Sequence, residues 1–368
     1  MSVGVDRDPA SHRDDRTGAG WLREGITAEL EAFLAGRARR LATLGDELAA
    51  MLDALAEYTS GGKLLRPTFC YWGWRGAGGA PDSAGVLRAA GSLELLHVSA
   101  LVHDDVMDAS DRRRGRPTAH QYFAALHRRS GWQGSAEQFG VSAAILLGDL
   151  SLAWSDEALR ASGLPDEAVV RALALFEVMR SEVIAGQYLD LSTQASASRS
   201  VEQAMRVVRA KSAKYTVERP LHVGCALAGG DSALTDAFSA YGLPVGEAFQ
   251  LRDDVLGVFG DPDRTGKPAG DDLREGKRTV LLAYAYENAD ADDIAVLDQR
   301  IGDREIDAGG IEEVRAVLVR SGALERVEHL IAASVEQALD ALGSAPLRDE
   351  TTREALAGLA VEATDRQT

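Results

Sequence analysis

Apolar residues recur at intervals of three and four along most of this chain, which is the spacing of one face of an α-helix. The pattern runs from Leu22 through Leu34 to Leu55. It continues through five further segments, residues 84–107, 136–161, 166–191, 201–228 and 234–259. Glycine, proline or aspartate interrupts it, as at helix ends, at residues 76–82, 130–134, 163–165, 192–200 and 229–232. We therefore predict an all-α protein.

Two of these segments, residues 84–107 and 136–161, are apolar on more than one face and rich in alanine. Helices of this kind are surrounded by other helices, so we predict a single large bundle of about a dozen helices. Residues 1–20 are polar and charged without an apolar period, which predicts a flexible N-terminal tail. No change in composition divides the remainder, so residues 21–368 are predicted to form one helical domain.

The composition is globular: 45% of the 368 residues are hydrophobic and 26% are charged, which excludes wholesale disorder. The net charge of -17 opposes binding to nucleic acids or anionic membranes. A phosphorylated small molecule is still compatible with this charge, provided that basic residues or metal ions reverse its sign inside one cleft.

The two cysteines, Cys70 and Cys225, are isolated in the sequence, which predicts neither a zinc site nor a disulfide framework and favours a reducing compartment. No run of about 18 uncharged apolar residues occurs, and residues 1–20 lack the apolar core of a secretion signal. We therefore predict a cytoplasmic protein without a membrane span.

Two acidic clusters interrupt the apolar helices. Asp104, Asp105 and Asp108 are three and four residues apart, which places their carboxylates on one helical face, where they repel. Asp253 and Asp254 repeat this spacing with Gln250. Magnesium is the natural compensating ion, because it prefers hard oxygen ligands and retains water and phosphate oxygens. A single such cluster is also consistent with a solvated helix face, but the pair favours two metal-binding sites across a cleft.

An ordered set of motifs connects these clusters to a known family. The set consists of Gly61-Gly62-Lys63-Leu64-Leu65-Arg66-Pro67, Asp104-Asp105-Val106-Met107-Asp108, Arg113-Arg114-Gly115, Gly186-Gln187-Tyr188-Leu189-Asp190, Lys211-Ser212 and Gln250 to Asp254. Over about residues 25–340 the chain resembles the all-trans isoprenyl (polyprenyl) diphosphate synthases, in particular the geranylgeranyl diphosphate synthases of actinobacteria. The resemblance implies a bundle around a central cavity and a prenyltransferase that condenses isopentenyl diphosphate with allylic diphosphates.

The resemblance also assigns the metal and the allylic diphosphate to particular residues. Several Mg²⁺ ions, with Mn²⁺ as an alternative, would be bound by Asp104 and Asp108 as main ligands, with Asp105 in support. Asp253 would hold a further ion with Asp254 alongside. Basic residues would grip the allylic diphosphate directly, namely Arg113, Lys211 and Lys267. The leaving diphosphate requires such cations because negative charge grows on it.

The second substrate, isopentenyl diphosphate, requires converging cations because no metal holds it. By resemblance, these residues are Lys63, Arg66, His97 and Arg114. Four further residues complete the predicted site: Gln187 near the allylic carbon, Ser212 and Gln250 as substrate contacts, and Lys277, which would close over phosphates. Asp190 would support Lys211. Taken alone, His97 is also consistent with a hydrogen-bonded core histidine, and Gln187 with Asp190 is consistent with a satisfied polar pair.

The chain departs from the family pattern at one position. Many members carry a third aspartate in the second cluster where this chain has Gly257. Asp261, one helical turn further along, is a candidate substitute that would act through water.

Product length is predicted from the residues that precede the first cluster. Leu96, Ser99 and Ala100 lie eight, five and four residues before Asp104 and would line the tunnel for the growing chain. Farnesyl synthases of the family often carry aromatic residues there, so small residues at 99 and 100 imply a deeper tunnel and a product longer than farnesyl. The resemblance to the actinobacterial enzymes implies geranylgeranyl diphosphate. Farnesyl, geranylfarnesyl and longer products are alternatives, because the floor could instead be formed by Leu96, Leu93 or a residue of a neighbouring helix such as Trp154 or Phe176.

Two other functions share the helical architecture. A terpene cyclase would ionise one diphosphate and would not need the site around Lys63 and His97. A noncatalytic partner subunit would not need complete acidic clusters. Family members are mostly homodimers, so the resemblance implies a homodimer here.

Overall fold

The structure, a computed structural model, describes residues 19–113, 115–261 and 270–364. Most of the predicted N-terminal tail lies outside these residues, but Ala19 and Gly20, which were assigned to the tail, begin the first helix. Arg114 and Lys267, two of the predicted phosphate-binding residues, also lie outside the described part.

The N-terminal half consists of long helices. They are α1 (Ala19–Leu41), α2 (Ala49–Thr59), α3 (Leu65–Gly76), α4 (Ala84–Met107), α5 (Ala119–Arg129), α6 (Ala136–Arg160) and α7 (Asp166–Ala195). A 3₁₀ turn at Asp46–Leu48 divides the predicted 22–55 segment into α1 and α2. Two antiparallel two-residue strands, β1 (Arg112–Arg113) and β2 (Arg116–Pro117), separate α4 from α5.

The C-terminal half begins with one continuous helical run: α8 (Val201–Val207), a π-helical segment (Val208–Glu218) and α9 (Arg219–Leu227). The remaining helices are α10 (Ser232–Phe259), α11 (Asp271–Glu275), α12 (Val280–Asn288), α13 (Ala291–Arg300), α14 (Ala308–Arg320), α15 (Ala323–Ser344) and α16 (Glu350–Thr364). The prediction of an all-α protein is confirmed.

Side-chain caps explain why the predicted breaks separate the helices. At four of the breaks or helix starts, the residue before the helix accepts a hydrogen bond from a backbone N–H of the first turn: Ser83, Ser135, Ser200 and Asp231. A side-chain cap of this type contributes about 1 kcal/mol to helix stability.

Helix α4 is the central helix. Leu93, Leu95, Val98 and Val102 are fully buried, and α4 packs against α1, α3 and α6. By length and composition α4 alone among the described helices could cross a membrane, but 67% of its apolar stretch is buried inside the bundle. It is therefore the core helix of a soluble fold, and it carries the first acidic cluster at its C-terminal end.

Glycines bring the helices around the π-helical segment into close contact. A Cβ on Gly186 of α7 would lie 2.6 Å from the backbone nitrogen of Lys211, and one on Gly246 of α10 would lie 2.7 Å from the carbonyl oxygen of Ala213. Real Cβ atoms do not approach this closely. The two glycines therefore fix the backbone that carries Lys211 between α7 and α10.

A buried histidine on α9 links this helix to α10. His222 is 3% exposed; its Nδ1 accepts a hydrogen bond from Arg219 (3.1 Å), and its Nε2 donates to the carbonyl of Thr235 (3.1 Å). Nε2 also lies 3.0 Å from the Ser239 hydroxyl, which donates to Glu218. Burial lowers the pKa of His222; the charge of Glu218 opposes this effect and that of Arg219 adds to it.

We expect this histidine to make stability depend on pH. A lowered folded-state pKa means that the unfolded chain binds the proton more readily, so stability is lost as pH falls through the ordinary histidine range near 6.5. The stability difference between wild type and His222→Gln should shrink between pH 7.5 and 5.5, by at most about 1.4 kcal/mol per pH unit. Urea unfolding of both proteins at several pH values measures it, and parallel curves would contradict the expectation.

Candidate active site

A large cavity of about 1420 Å³ opens between α3, α4, α7, the π-helical segment, α10 and α11. Pockets for one small ligand are usually about 300–1,000 Å³, so this cavity has room for more than one group. Its wall combines polar residues from all six elements with an apolar section formed by α4, α6 and α7.

The first acidic cluster lies at the C-terminal end of α4. The helix dipole disfavours carboxylates there, so they require cations. Asp105 is fully buried; it accepts a hydrogen bond from Arg113 Nε (2.7 Å) and one from the Tyr58 hydroxyl (3.2 Å). Asp104 lines the cavity, whereas Asp105 and Asp108 are not among its lining residues.

Two lysines bring positive charge to this cluster. Lys211 Nζ lies 3.2 Å from Asp104 Oδ1 and 2.7 Å from Asp190 Oδ2, and Gln187 donates to the same Asp104 oxygen at 3.0 Å. Lys277 Nζ lies 3.9 Å from Asp108 Oδ2 and 2.7 Å from Glu275 Oε2. The predicted support of Lys211 by Asp190 is thus present as a direct ion pair.

Burial and neighbouring charges shift the pKa values of Asp104 and Asp108 in opposite directions. Burial alone raises the pKa of Asp104, but Lys211, Lys277 and Arg113 outweigh it and hold that pKa below its ordinary value. Burial and the charge of Asp104 raise the pKa of Asp108. Burial would lower the pKa of Lys277, but its acidic neighbours keep it well above the ordinary value. Asp104 and both lysines are therefore charged at neutral pH.

The second acidic cluster lies on α10, and Asp253 and Asp254 line the same cavity as Asp104. Ser212 donates to Gln250 Oε1 (2.6 Å), and Gln250 donates to Asp254 Oδ1 (2.7 Å). This chain of hydrogen bonds links the π-helical segment to the cluster. Burial, the charge of Asp272 and that of Asp253 raise the pKa of Asp254 well above its ordinary value.

The predicted isopentenyl diphosphate residues lie at the start of α3. Lys63 and Arg66 line the cavity on either side of Leu64, which is buried with a φ of 50°. A left-handed conformation costs a leucine energy and is typical of functional sites. Arg66 donates to Thr216 Oγ1 (2.8 Å) and its guanidinium lies 4.2 Å from the Tyr215 ring centroid.

His97 lines the same cavity. Its ring lies 6.2 Å from that of Tyr215, so His97 and Arg66 approach the same aromatic side chain. Lys63, Arg66 and His97 therefore line one cavity, and their predicted role in binding isopentenyl diphosphate stays a prediction.

The three predicted tunnel residues, Leu96, Ser99 and Ala100, also line the cavity. Leu152 of α6 with Val183 and Ile184 of α7 lines the facing wall. Of the alternative floor residues, Leu93, Trp154 and Phe176 are packed in the core of the described residues instead of lining the cavity.

Several site residues were missed by sequence reasoning. Tyr58 gives no signal because it joins Asp105 only in the folded chain. Glu275 pairs with Lys277 and accepts a hydrogen bond from Ser110 (3.1 Å); its position two residues before Lys277 is the signal that could have found it.

The carboxylates fit a hard divalent ion that arrives with a substrate. Among the described residues, no three His, Cys, Asp or Glu side chains already converge on a metal position, because lysines and arginine lie between them. Mg²⁺ usually needs only one or two carboxylates, with water and phosphate oxygens completing its coordination. The donor set therefore fits a magnesium–diphosphate unit better than a metal ion bound by protein alone.

Known proteins share this architecture. A solved geranylgeranyl pyrophosphate synthase from Corynebacterium glutamicum, complexed with isoprenyl diphosphate and magnesium, superimposes with a TM-score of 0.90 at 41% identity, covering 94% of this chain and 99% of its own. Geranylfarnesyl diphosphate synthase of Aeropyrum pernix is 32% identical over 81% of this chain and 88% of the relative. Geranylgeranyl diphosphate synthase of Saccharolobus solfataricus is 29% identical over 82% of this chain and 86% of the relative.

The fold and the two-cluster cavity define an all-helical isoprenoid synthase. The polyprenyl synthetase model matches residues 48–318, which is well over half of the chain, so the chain belongs to the polyprenyl synthetase family. It is a trans-prenyltransferase, which confirms the predicted enzyme class.

Proposed function

We propose that the chain is a magnesium-dependent geranylgeranyl diphosphate synthase, which condenses isopentenyl diphosphate with dimethylallyl, geranyl and farnesyl diphosphates and releases diphosphate. The observation that carries the proposal is one continuous cavity that joins both acidic clusters to an apolar section with Ser99 and Ala100 in its wall. The similarity to a geranylgeranyl pyrophosphate synthase supports the product length.

Asp104 and Asp108 would hold magnesium at the first cluster and Asp253 at the second, with Asp105 and Asp254 in support. When bound, magnesium neutralises charge on the departing diphosphate. Arg113 holds Asp105 and lies 3.5 Å from Asp104, so it fixes the orientation of the cluster. Burial keeps Asp105 out of contact with solvent, which makes it a positioning residue.

Lys211 and Lys277 would bind the leaving diphosphate directly. Both are charged and line the cavity. Lys211 pairs with Asp104 and Lys277 with Asp108, and these are the carboxylates that would bind the metal instead once it is present. Lysine is suited to this exchange because its flexible stem moves a compact charge between partners. Lys267 would complete this set, whereas Arg114 would belong to the isopentenyl diphosphate subsite.

The metal-free subsite for isopentenyl diphosphate would be formed by Lys63, Arg66 and His97. Tyr215 and Thr216 hold the Arg66 guanidinium in one plane, which prepares it for paired hydrogen bonds to phosphate. The apolar wall excludes water, which would otherwise quench the allylic cation. The proton lost from the condensing carbon leaves on the released diphosphate, so no side-chain base is required.

We also propose a cytoplasmic homodimer. Helices α6 and α7 expose large apolar side chains that are usually covered in a soluble protein: Ile145, Leu146, Val170 and Val178. A second copy of the chain would cover them.

The proposal is tested by incubating the purified protein with Mg²⁺, isopentenyl diphosphate and, separately, each of the three allylic primers, followed by identification of the dephosphorylated alcohols. We expect a ladder that ends at geranylgeraniol. A farnesol or longer endpoint would refute the product length alone. A hydrocarbon formed without isopentenyl diphosphate would show a terpene cyclase, and inactivity with every primer would favour a noncatalytic subunit.

A further inference from the structure

Gly257 lies on the same face of α10 as the second acidic cluster, because it follows Asp253 by four residues and Asp254 by three. A Cβ at this position would lie 2.6 Å from Cγ of Asp272 and closer still to its Oδ2. The carboxylate of Asp272 thus fills the space where a side chain at residue 257 would begin. Glycine at 257 is what allows Asp272 to lie against α10.

Asp272 is held firmly in this place. It belongs to the first turn of α11, and its carbonyl accepts a hydrogen bond from the backbone of Lys277 (3.0 Å). Its Oδ1 lies 3.4 Å from Lys277 Nζ, while Oδ2 is directed at Gly257. The residue is 9% exposed, and it lines the cavity together with Asp253 and Asp254.

The charges around Asp272 require a further cation. Asp272 and Asp254 are both buried and line the same cavity, so their like charges repel there unless a cation compensates them. Among the described residues, Lys277 lies near three carboxylates at once, those of Asp272, Glu275 and Asp108. One monovalent charge is thus divided among three carboxylates, and a divalent ion at the second cluster would relieve the repulsion.

We propose that Asp272 is the third carboxylate of the second acidic cluster and binds the same magnesium–diphosphate unit as Asp253, in the place that a side chain at residue 257 would take. This inference rests on the proposed function. It assigns the compensating role to Asp272 and not to Asp261, which lies beyond the C-terminal end of α10.

The first experiment measures binding without turnover. Inorganic pyrophosphate is titrated into the protein at fixed Mg²⁺ concentrations by calorimetry, for wild type, Asp272→Asn, Asp261→Asn and Glu275→Gln. We expect Asp272→Asn to raise the Mg²⁺ concentration needed for half-maximal pyrophosphate binding at least tenfold, Asp261→Asn to change it less than threefold, and Glu275→Gln to raise it clearly less than Asp272→Asn does. Glu275→Gln is the matched control because it also removes a carboxylate partner of Lys277.

Three outcomes would overturn the inference. They are a normal magnesium requirement in Asp272→Asn, a defect in Asp261→Asn of similar size, and an equal defect in Glu275→Gln. The last would show that Asp272 acts only by placing Lys277. Circular dichroism and thermal unfolding check that each variant folds.

A second experiment moves the carboxylate from one position to the other. The double variant Gly257→Asp/Asp272→Gly removes the collision and supplies a carboxylate from α10. We expect it to recover most of the magnesium-dependent pyrophosphate binding lost in Asp272→Gly, and no recovery would contradict the inference. If wild type itself neither binds magnesium pyrophosphate nor condenses substrates, the proposed function fails; if wild type does both and only the Asp272 results disagree, the inference alone fails.

Discussion

Replacing Asp104 with alanine is expected to lower kcat for the condensation by about 10³-fold, an effect on the order of 4 kcal/mol in transition-state free energy. Asp104 is the residue of the first cluster that lines the cavity, and three side-chain groups converge on it: Lys211, Gln187 and Arg113. Its removal takes away a proposed metal ligand and releases two of the groups that orient the substrate. Single-turnover kinetics with geranyl diphosphate measure the loss.

The matched control is Asp111→Asn, because Asp111 follows the same cluster but is exposed, and its carboxylate accepts a hydrogen bond from Gln121. It should keep wild-type kinetics. Both variants should retain the helical circular dichroism of the wild type, since Lys211 retains Asp190 as its partner. An active Asp104→Ala protein would refute the assigned role, and an unfolded one would show that the cluster is structural.

Replacing Ser99 with phenylalanine is expected to shift the main product from geranylgeranyl to farnesyl diphosphate. Ser99 is 3% exposed and lines the cavity together with the apolar side chains of Leu152 and Val183. A phenylalanine ring at this position would fill part of the apolar section and is expected to stop the chain one unit early. Overpacking of this type costs about 1–3 kcal/mol of stability, which a bundle of this size should tolerate.

Chain-length analysis of products at low conversion tests the shift, and Ser99→Ala is the control because it removes the hydroxyl without filling the tunnel. The control should give the wild-type product. If Ser99→Phe also gave the wild-type product, the floor would lie elsewhere, with Leu152 or Ile184 as the next positions to change.

Helix class and most helix boundaries were predictable because caps and breakers are local signals. The break between α6 and α7 is marked by Gly163 and Pro165, and the start of α10 by Asp231. The π-helical segment was not predictable, because its geometry follows from the close approach of Gly186 and Gly246 on neighbouring helices. Long-range packing decides such features, and no pattern within one segment encodes it.

The candidate site was also predictable only in part. Asp104 and Lys211 stand out as charges in apolar helices, and the structure brings them within 3.2 Å. Tyr58 and Asp272 gave no such signal, since each matters only for what it meets from a distant part of the chain. The sequence marks the charged groups that need partners, whereas the fold decides which partners they receive.

One helix, α4, carries both the first acidic cluster and the proposed tunnel residues. With the proposed function, this helix would measure the product from a fixed point at the diphosphate. A helical turn advances about 5.4 Å, which is close to the extended length of one five-carbon unit. Ala100 and Ser99 lie about one helical turn before Asp104, and Leu96 lies about two turns before it. A bulky side chain moved one turn toward the start of α4 should therefore lengthen the product by one unit. Product length would then change in whole isoprene steps through single substitutions, while the chemistry at Asp104 is untouched.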